Sequence, residues 1–268
     1  MRVVILLSEY SQVKELLNTT LQIMGQTPSQ VTGLFLKKKN QPKPLSQRFS
    51  DRRDIESEEM PLFNDLIRWA EEITRNAGSA FKAIHGKEIS LPQVVNQTTY
   101  ADMIIAHAQT DFNDYLLTSM NASLKDMLVD AHCPILLARP SNQPIQKIVF
   151  TYDGSYSSMH AIKMFNYLFP LATQVPVSLV SIDSYRNDQK ENEKLLDEWM
   201  AHHYGSIERE TQQRTVKEQL LDIANRSNEN TYVVMSTYGK EAYARIFHPS
   251  HVQLLLGYSK TSLFIAHE

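Results

Sequence analysis

Polar residues stand directly after two apolar runs in the second half of the chain. Asp153 follows one run, and Ser236 ends the other. An aspartate in such a position can accept a hydrogen bond from a ribose hydroxyl, whereas a serine hydroxyl and the free amides of a helix N-terminus can bind a phosphate. The residues that could contact a nucleotide in this way are Thr151, Tyr152, Asp153, Ser236, Tyr238, Gly239, Ser250 and His251.

The apolar runs are the elements that must position these residues. Short, bounded runs of this kind are typical of strands that are buried on both faces of a parallel sheet. The segment 205–211 has the weakest pattern and is the candidate for the third strand of the second half. The predicted strands lie near 2–8, 31–37, 80–85, 102–107 and 134–138, and again near 146–152, 176–183, 205–211, 232–237 and 262–266.

Apolar residues at helical spacing lie between the runs. One stripe begins at Val13, a second includes Leu62 and Trp69, and a third includes Val216 and Leu220. Alternating strands and helices predict an α/β fold with a doubly wound parallel sheet in each half. Ligands of such sheets bind beyond the carboxyl ends of the strands, which is where the candidate residues stand.

The two halves of the chain repeat each other. Residues 134–138, for example, resemble residues 262–266. The stretch between the halves is polar and contains two prolines, which is typical of a linker. The predicted organisation is a domain over 1–140, a linker over 141–146 and a second domain over 147–268.

The first domain is the longer one, and its extra residues fit the segment 37–59. This segment begins with Lys37, Lys38 and Lys39, ends in acidic residues and has little apolar content. It predicts a solvated loop that leads into a helix with an acidic first turn. A loop that binds an anion or a partner is the alternative interpretation.

The composition excludes several classes of protein. The 268 residues include 27 basic and 30 acidic side chains, so a basic nucleic-acid-binding protein is not expected. Hydrophobic residues make up 42% and charged residues 21%, as in ordinary globular proteins. Cys133 is the single cysteine, so no intrachain disulfide can form, and we expect an inert buried thiol. The apolar run at 3–7 is too short for a signal peptide or a membrane span, which predicts a cytoplasmic protein without a membrane partner.

Motifs for metal binding and catalysis are missing from the sequence. His248 and His251 are three residues apart, and His202 and His203 are adjacent, but no third ligand accompanies either pair. The chain has neither of the common glycine-rich nucleotide motifs, no serine elbow and no zinc-protease motif. We therefore assign no metal site and no catalytic residue, and a non-enzymatic role is favoured.

Three segments carry a resemblance to a known family. They are the strand and turn at 147–155, the fourth-strand segment that ends in Gly239, and the tail at 131–137. On these residues the chain resembles the universal stress protein family in its tandem two-domain form, over nearly all of its length. For each domain the resemblance implies a five-stranded parallel sheet with helices on both faces, of the adenine nucleotide alpha hydrolase-like type.

The resemblance also implies a test for ATP binding, because the ATP-binding members share a loop of the form G-x2-G-x9-G-[S/T]. In the second domain Ser236, Gly239, Pro249 and Ser250 occupy the four defined positions. The spacing is kept, but two of the three glycines are replaced, and Pro249 has no N–H to offer a phosphate. ATP is therefore a possible ligand of the second domain and not an expected one.

The first domain departs further from this loop. Glu9 stands where the second domain has Asp153, His107 begins the stretch where the first glycine belongs, and Asn121 lies near the final position. No phosphate-binding loop is predicted there.

The residues of the second domain also have simpler interpretations, because Asp153 could cap the following helix and Gly239 could be a turn glycine.

These observations favour a non-catalytic, cytoplasmic stress-response protein that acts as a scaffold or sensor through an unidentified protein partner or small ligand. The final strands, 134–138 and 262–266, are expected to pair across an intramolecular pseudo-dimer, and a homodimer of the whole chain remains open. One alternative is adenine nucleotide binding in the second domain, with or without slow ATP hydrolysis. Another is an enzyme that acts on phosphorylated or adenylated small molecules.

Overall fold

A single sheet of ten strands organises the chain. The computed structural model describes residues 1–8, 10–25, 27, 29–36, 52–85, 89–110, 112, 124–141, 143–181, 190–205, 207–211, 214–236 and 249–266. The strands are β1 (Arg2–Leu7), β2 (Gln30–Phe35), β3 (Ala80–Ile84), β4 (Met103–His107), β5 (Ile135–Ala138), β6 (Lys147–Tyr152), β7 (Val177–Ser181), β8 (Ile207–Thr211), β9 (Thr231–Ser236) and β10 (Ser262–Ala266).

The strand order is β3-β2-β1-β4-β5-β10-β9-β6-β7-β8. Neighbouring strands are parallel throughout each half, and each half has the same internal order, with its first strand at the centre. This arrangement confirms the predicted doubly wound α/β fold. Each predicted strand is present, including the weak candidate at 205–211.

Helices connect the strands and cover both faces of the sheet. The apolar stripes that begin at Val13, Leu62 and Val216 fall in helices, as predicted. The helices in the described part of the chain are α1 (Tyr10–Met24), α2 (Arg52–Asn76), α3 (Leu91–Thr98), α4 (Leu124–Asp130), α5 (Tyr156–Leu168), α6 (Lys190–His203), α7 (Val216–Arg226) and α8 (Pro249–Tyr258), and a 3₁₀ turn spans Pro170–Gln174.

Successive residues of a strand pack on opposite faces of the sheet. Ile5 of β1 belongs to a buried cluster with residues of α1, α2, α5 and α6, whereas Val4 and Leu6 belong to a second cluster with α3, α4, α7 and α8. The same alternation separates Phe150 from Val149 in β6. Burial on both faces is the reason why these strands are continuous apolar runs in the sequence.

The two halves meet along an antiparallel pair of strands. Leu136 of β5 lies opposite Phe264 of β10, with Leu137 opposite Leu263 and Ile135 opposite Ile265. The pairing between the final strands of the two halves is therefore present as expected. It joins the two five-stranded sheets into one, and the hydrogen bonds of the pair satisfy backbone groups that would otherwise form two open edges.

Strand β8, at one edge of the sheet, has a charged sequence, which explains its weak pattern. Its Glu208 lies 3.6 Å from the ammonium of Lys147, and Glu210 lies 2.6 Å from the guanidinium of Arg226. Arg209 pairs with Asp197 of α6. Charged side chains are a common feature of edge strands, because they oppose pairing with another chain.

The predicted linker is attached to the second half of the chain. The Ser141 hydroxyl donates a 2.6 Å hydrogen bond to the Asn230 side chain, and the Gln146 amide donates to the Asn230 carbonyl at 2.9 Å. Within the predicted insertion 37–59, residues 52–59 are the first two turns of α2, and residues 37–51 lie outside the described residues.

No helix among the described residues is long and apolar enough to cross a membrane.

Candidate functional site

The topology brings four of the candidate residues to one edge of the second half of the sheet. Strands β6 and β9 are parallel neighbours, with Phe150 opposite Val234. Asp153, which follows β6, and Ser236, the last residue of β9, therefore lie at the same edge of the sheet. The chain then returns through α8 to the parallel strand β10, so α8 begins at the same edge. Its first turn contains Ser250 and His251. Tyr238 and Gly239 lie outside the described residues.

Thr151 is committed to the sheet. Its side chain is fully buried, and the hydroxyl donates a 2.9 Å hydrogen bond to the carbonyl of Val234 in the adjacent strand. A buried hydroxyl with such a partner fixes β6 against β9 and satisfies its own hydrogen-bonding need. A contact between the Thr151 hydroxyl and a nucleotide would require the hydrogen bond to Val234 to break, and that contact stays a prediction.

Tyr152 points to the other face of the sheet. It is 6% exposed and belongs to the same buried cluster as Phe150 and Tyr204. Burial, followed by the charges of Asp153 and Glu193, raises the pKa of the Tyr152 phenol to about 12. The ring is thus a core residue that keeps its proton at neutral pH.

Asp153 holds the turn that follows β6. Its Oδ1 accepts hydrogen bonds from the Ser155 amide at 3.0 Å and from the Ser155 hydroxyl at 2.6 Å. Gly154 adopts a φ of 81°, which favours glycine at this position. Asp153 is 8% exposed, so little of its surface is accessible to solvent or to a ligand.

The helix cap belongs to Ser155, so the interpretation of Asp153 as the capping residue is wrong. The Ser155 hydroxyl accepts a 3.1 Å hydrogen bond from the Ser158 amide at the start of α5. Aspartate and serine are both favoured as N-cap residues. Ser155 is the cap because its extended backbone directly precedes the first residue of α5. Asp153 supports the cap from outside the helix.

Ser236 and the start of α8 differ in accessibility. Ser236 is 3% exposed and lies opposite Ala266 of β10, whereas Ser250 is exposed and His251 is half-buried. The next residue, Val252, packs in the same buried cluster as Met235 of β9. Packing of this kind fixes α8 against the sheet and leaves its first turn at the surface.

At the corresponding edge of the first half, described polar groups contact one another. Strands β1 and β4 are neighbours, and the hydroxyls of Ser8 and Thr110 beyond their ends lie 3.2 Å apart. The Gln109 amide donates to Nδ1 of His107 at 3.2 Å. Glu9 and residues 121–122 lie outside the described residues, so the absence of a phosphate loop there stays a prediction.

His203 and Cys133 are packed against neighbouring protein groups, and His248 lies outside the described residues. His203 stacks on Trp199, with ring centroids 3.9 Å apart, and its Nδ1 lies 2.8 Å from the Trp199 carbonyl. No group of three potential metal ligands occurs among the described residues. Burial, and then the charge of Asp102, raises the pKa of the Cys133 thiol to about 12, which makes it a poor nucleophile.

Comparison with known proteins supports the fold. No family model and no curated protein matches the chain. A universal stress protein from Archaeoglobus fulgidus matches it in structure with a TM-score of 0.65 at 13% identity, over 99% of this chain and 98% of that one. The chain has the universal stress protein fold.

Two further structures share this fold over almost the whole chain. A protein of Pseudomonas aeruginosa, described as a candidate universal stress protein, has a TM-score of 0.53 at 11% identity and covers 98% of this chain and 92% of its own. The cytoplasmic domain of a prokaryotic cation chloride cotransporter has a TM-score of 0.57 at 9% identity, with 100% and 95% covered. The universal stress protein fold thus extends over both halves. It occurs in a candidate stress protein and in a domain of a transporter, so the fold alone does not define a role.

Two features of the site were not predicted from the sequence. One is the Ser155 cap, for which the signal was a serine immediately before a helical stripe. The other is the Ser8–Thr110 contact. It could not be found by local pattern, because the two residues are 102 positions apart and meet only when β1 and β4 pair.

Proposed function

We propose that the chain is a cytoplasmic universal stress protein that acts without catalysis, as a scaffold or sensor for a protein partner or a small ligand. Its two domains, 1–140 and 147–268, would form an intramolecular pseudo-dimer about the β5–β10 pair. The fold over 99% of the chain and the antiparallel joining strands support this organisation.

One observation carries the non-catalytic role. At each of the two sheet edges a described pair of polar side chains is hydrogen-bonded within the protein, Ser155 with Asp153 and Thr110 with Ser8. A phosphate site needs donors that point outward and are free to meet an anion. Two of the three loop glycines are also absent, and Pro249 removes one amide from the start of α8.

Adenine nucleotide binding in the second domain is the second candidate function, and a specific observation favours it. Asp153, Ser236 and the first turn of α8 lie at the same edge of the sheet, where doubly wound folds bind ligands. In this alternative Asp153 binds the ribose, while Ser250 and His251 bind the phosphates. Slow hydrolysis of ATP would be a secondary property of that site.

Calorimetric titration of the purified chain with ATP distinguishes the two functions. Before titration, denaturation followed by mass spectrometry shows whether the chain already holds a nucleotide. Our proposal expects no retained nucleotide and no heat of binding at millimolar ATP. Asp153→Ala serves as the site variant, Asp153→Asn keeps an oxygen that can hold the turn, and Asp65→Ala is an exposed control on α2.

Each outcome of the titration has one interpretation. ATP binding that is lost in Asp153→Ala and kept in Asp65→Ala would replace the scaffold role with the nucleotide role. Turnover that disappears with Asp153→Ala or Ser250→Ala would assign the chain to the enzymes instead. Binding that is equal in all variants would place the nucleotide outside this edge and overturn the second candidate.

A further inference from the structure

A cavity of about 330 Å³ lies where the two halves and the linker meet. The first half contributes Gln22 and Ile23 from the C-terminal part of α1, and the second contributes Phe169 and Val175 beside the 3₁₀ turn. The linker adds Ile145. We call this space the junction cavity, and its volume is at the lower end of the range for small-molecule sites.

The junction cavity is separate from the candidate nucleotide edge. Its walls include Ile145 of the linker and Val175 and Asn230 of the second half, which precede strands β6, β7 and β9. The candidate nucleotide residues follow strands β6 and β9 and lie at the other edge of that half. A ligand of the junction cavity would therefore occupy a different site.

The walls of the junction cavity are mostly apolar. Phe169 is 2% exposed and Tyr232 is 6% exposed, so both rings are fixed by the core behind them. Phe169 stacks on Phe165 with centroids 4.3 Å apart. Leu171 stands at the same cavity and is 64% exposed, which leaves an apolar side chain available to an occupant. Rigid apolar walls of this kind favour a hydrocarbon group.

Arg139 gives the junction cavity a positive charge. Its Nη2 donates a 2.7 Å hydrogen bond to the Leu256 carbonyl, whereas its buried Nε has no hydrogen-bond partner. Among the described residues, no carboxylate lies within ion-pair distance of this guanidinium, and the Glu229 carboxylate at the same cavity is exposed to solvent. Burial lowers the pKa of Arg139, because a charged group is less stable where water is excluded.

We propose that the junction cavity binds a small apolar carboxylate, with the hydrocarbon part between Ile23 and Phe169 and the carboxylate at the guanidinium of Arg139. An anion would supply the opposite charge that the described neighbours of Arg139 lack. Guanidinium groups bind carboxylates through paired, charge-assisted hydrogen bonds, which accounts for the choice of this headgroup. The size of the cavity limits the ligand to a short or medium chain.

Decanoate and decan-1-ol test the site as a matched pair of probes. Both have the same hydrocarbon chain, and only decanoate has a charge at neutral pH. Titration of the full chain by calorimetry, below the concentration at which decanoate forms micelles, is expected to show decanoate binding about tenfold more tightly than the alcohol. Arg139→Met should remove this difference, and Arg139→Lys, which keeps the charge, should retain part of it.

Two tryptophan variants locate the probe. Gln22 is exposed and lines the cavity, so Gln22→Trp should block it and abolish decanoate binding. Gln253 is an exposed helical glutamine of α8 that does not line it, so Gln253→Trp should bind decanoate as the unmodified chain does. A thermal unfolding curve for each variant shows that the fold is kept.

Three results would overturn the proposal. The first is the absence of decanoate binding to the unmodified chain. The second is binding that survives Gln22→Trp, because the probe would then lie elsewhere. The third is equal affinity for decanoate and decan-1-ol, with no change in Arg139→Met, which would show that the cavity takes apolar molecules without recognising a carboxylate.

Discussion

Phe264 lies directly opposite Leu136 in the antiparallel pair of strands that joins the two halves of the chain. Its ring is fully buried and makes edge contacts with Phe165 at 5.2 Å and Phe169 at 5.6 Å between centroids. Both partners come from the second half, while Leu136 comes from the first. The joint between the halves is thus built from the same aromatic core that supports the second half.

Phe264→Ala should lower the free energy of unfolding by about 3–5 kcal/mol, because a fully buried ring leaves a cavity that its neighbours cannot fill. Urea unfolding followed by circular dichroism measures this change. Tyr258→Ala, whose side chain is 70% exposed, is the control and should stay within about 0.5 kcal/mol of the unmodified chain. A loss below 1 kcal/mol in Phe264→Ala would contradict the packing described here.

Ser155→Ala should destabilise the chain by about 1 kcal/mol, because it removes the N-cap of α5 and one of the bonds that hold Asp153. Lys163→Ala, at an exposed position of the same helix, tests whether any change in α5 has this effect. The urea midpoints of the two variants give the comparison. Equal midpoints for both would show that Ser155 does not cap the helix.

Stability should fall between pH 10 and pH 12, partly through Tyr152. The phenol has a pKa near 10 when the chain is unfolded and about 12 when it is folded. A raised folded-state pKa stabilises the protein fully below the unfolded value, and this contribution is lost as the pH rises toward the folded one. Urea unfolding at intervals from pH 8 to pH 12 measures the fall.

Tyr152→Phe should make that fall less steep, because the variant has no proton to lose at this position. Tyr258→Phe, at an exposed position, should leave the slope unchanged. Burial also raises the pKa of Tyr232 to about 12. Tyr232 therefore keeps part of the pH dependence of stability in both variants. The assignment to Tyr152 fails if its phenylalanine variant has the same slope as the unmodified chain.

Cys133 should react slowly with iodoacetamide at pH 8 in the folded chain. The thiolate is the reacting form, and burial with the nearby Asp102 carboxylate raises the thiol pKa to about 12. The rate should rise on the order of a hundredfold in urea, where the pKa returns to its ordinary range. Alkylation at the same rate with and without urea would show that the folded chain does not raise the pKa of the Cys133 thiol.

The strands could be predicted because burial on both faces leaves a continuous apolar run, as Val3–Leu7 and the residues of β9 show. Strand β8 was the weakest prediction for the complementary reason. Its sequence Ile-Glu-Arg-Glu-Thr lies at an edge, where the three charged side chains pair with neighbouring charges and Ile207 is only partly buried. Periodicity therefore reports position within the sheet as well as the type of element.

The candidate site was less predictable than the fold. Sequence spacing located Asp153 and the start of α8, but it did not show that Thr151 and Tyr152 have side chains committed to the interior on opposite faces. The junction cavity could not be predicted either. Its walls come from α1, the linker and the 3₁₀ turn, which are separated along the chain and meet only after the halves join.

The β5–β10 pair also determines what is exposed while the chain is being synthesised. Strand β5 leaves the ribosome long before β10, so the first half can fold while the flank of β5 still lacks its partner. An unpaired flank of Ile135, Leu136 and Leu137 is a site where a second nascent chain could add a strand. Rapid completion of the second half, or a chaperone that covers this flank until β10 is synthesised, would prevent such pairing between chains.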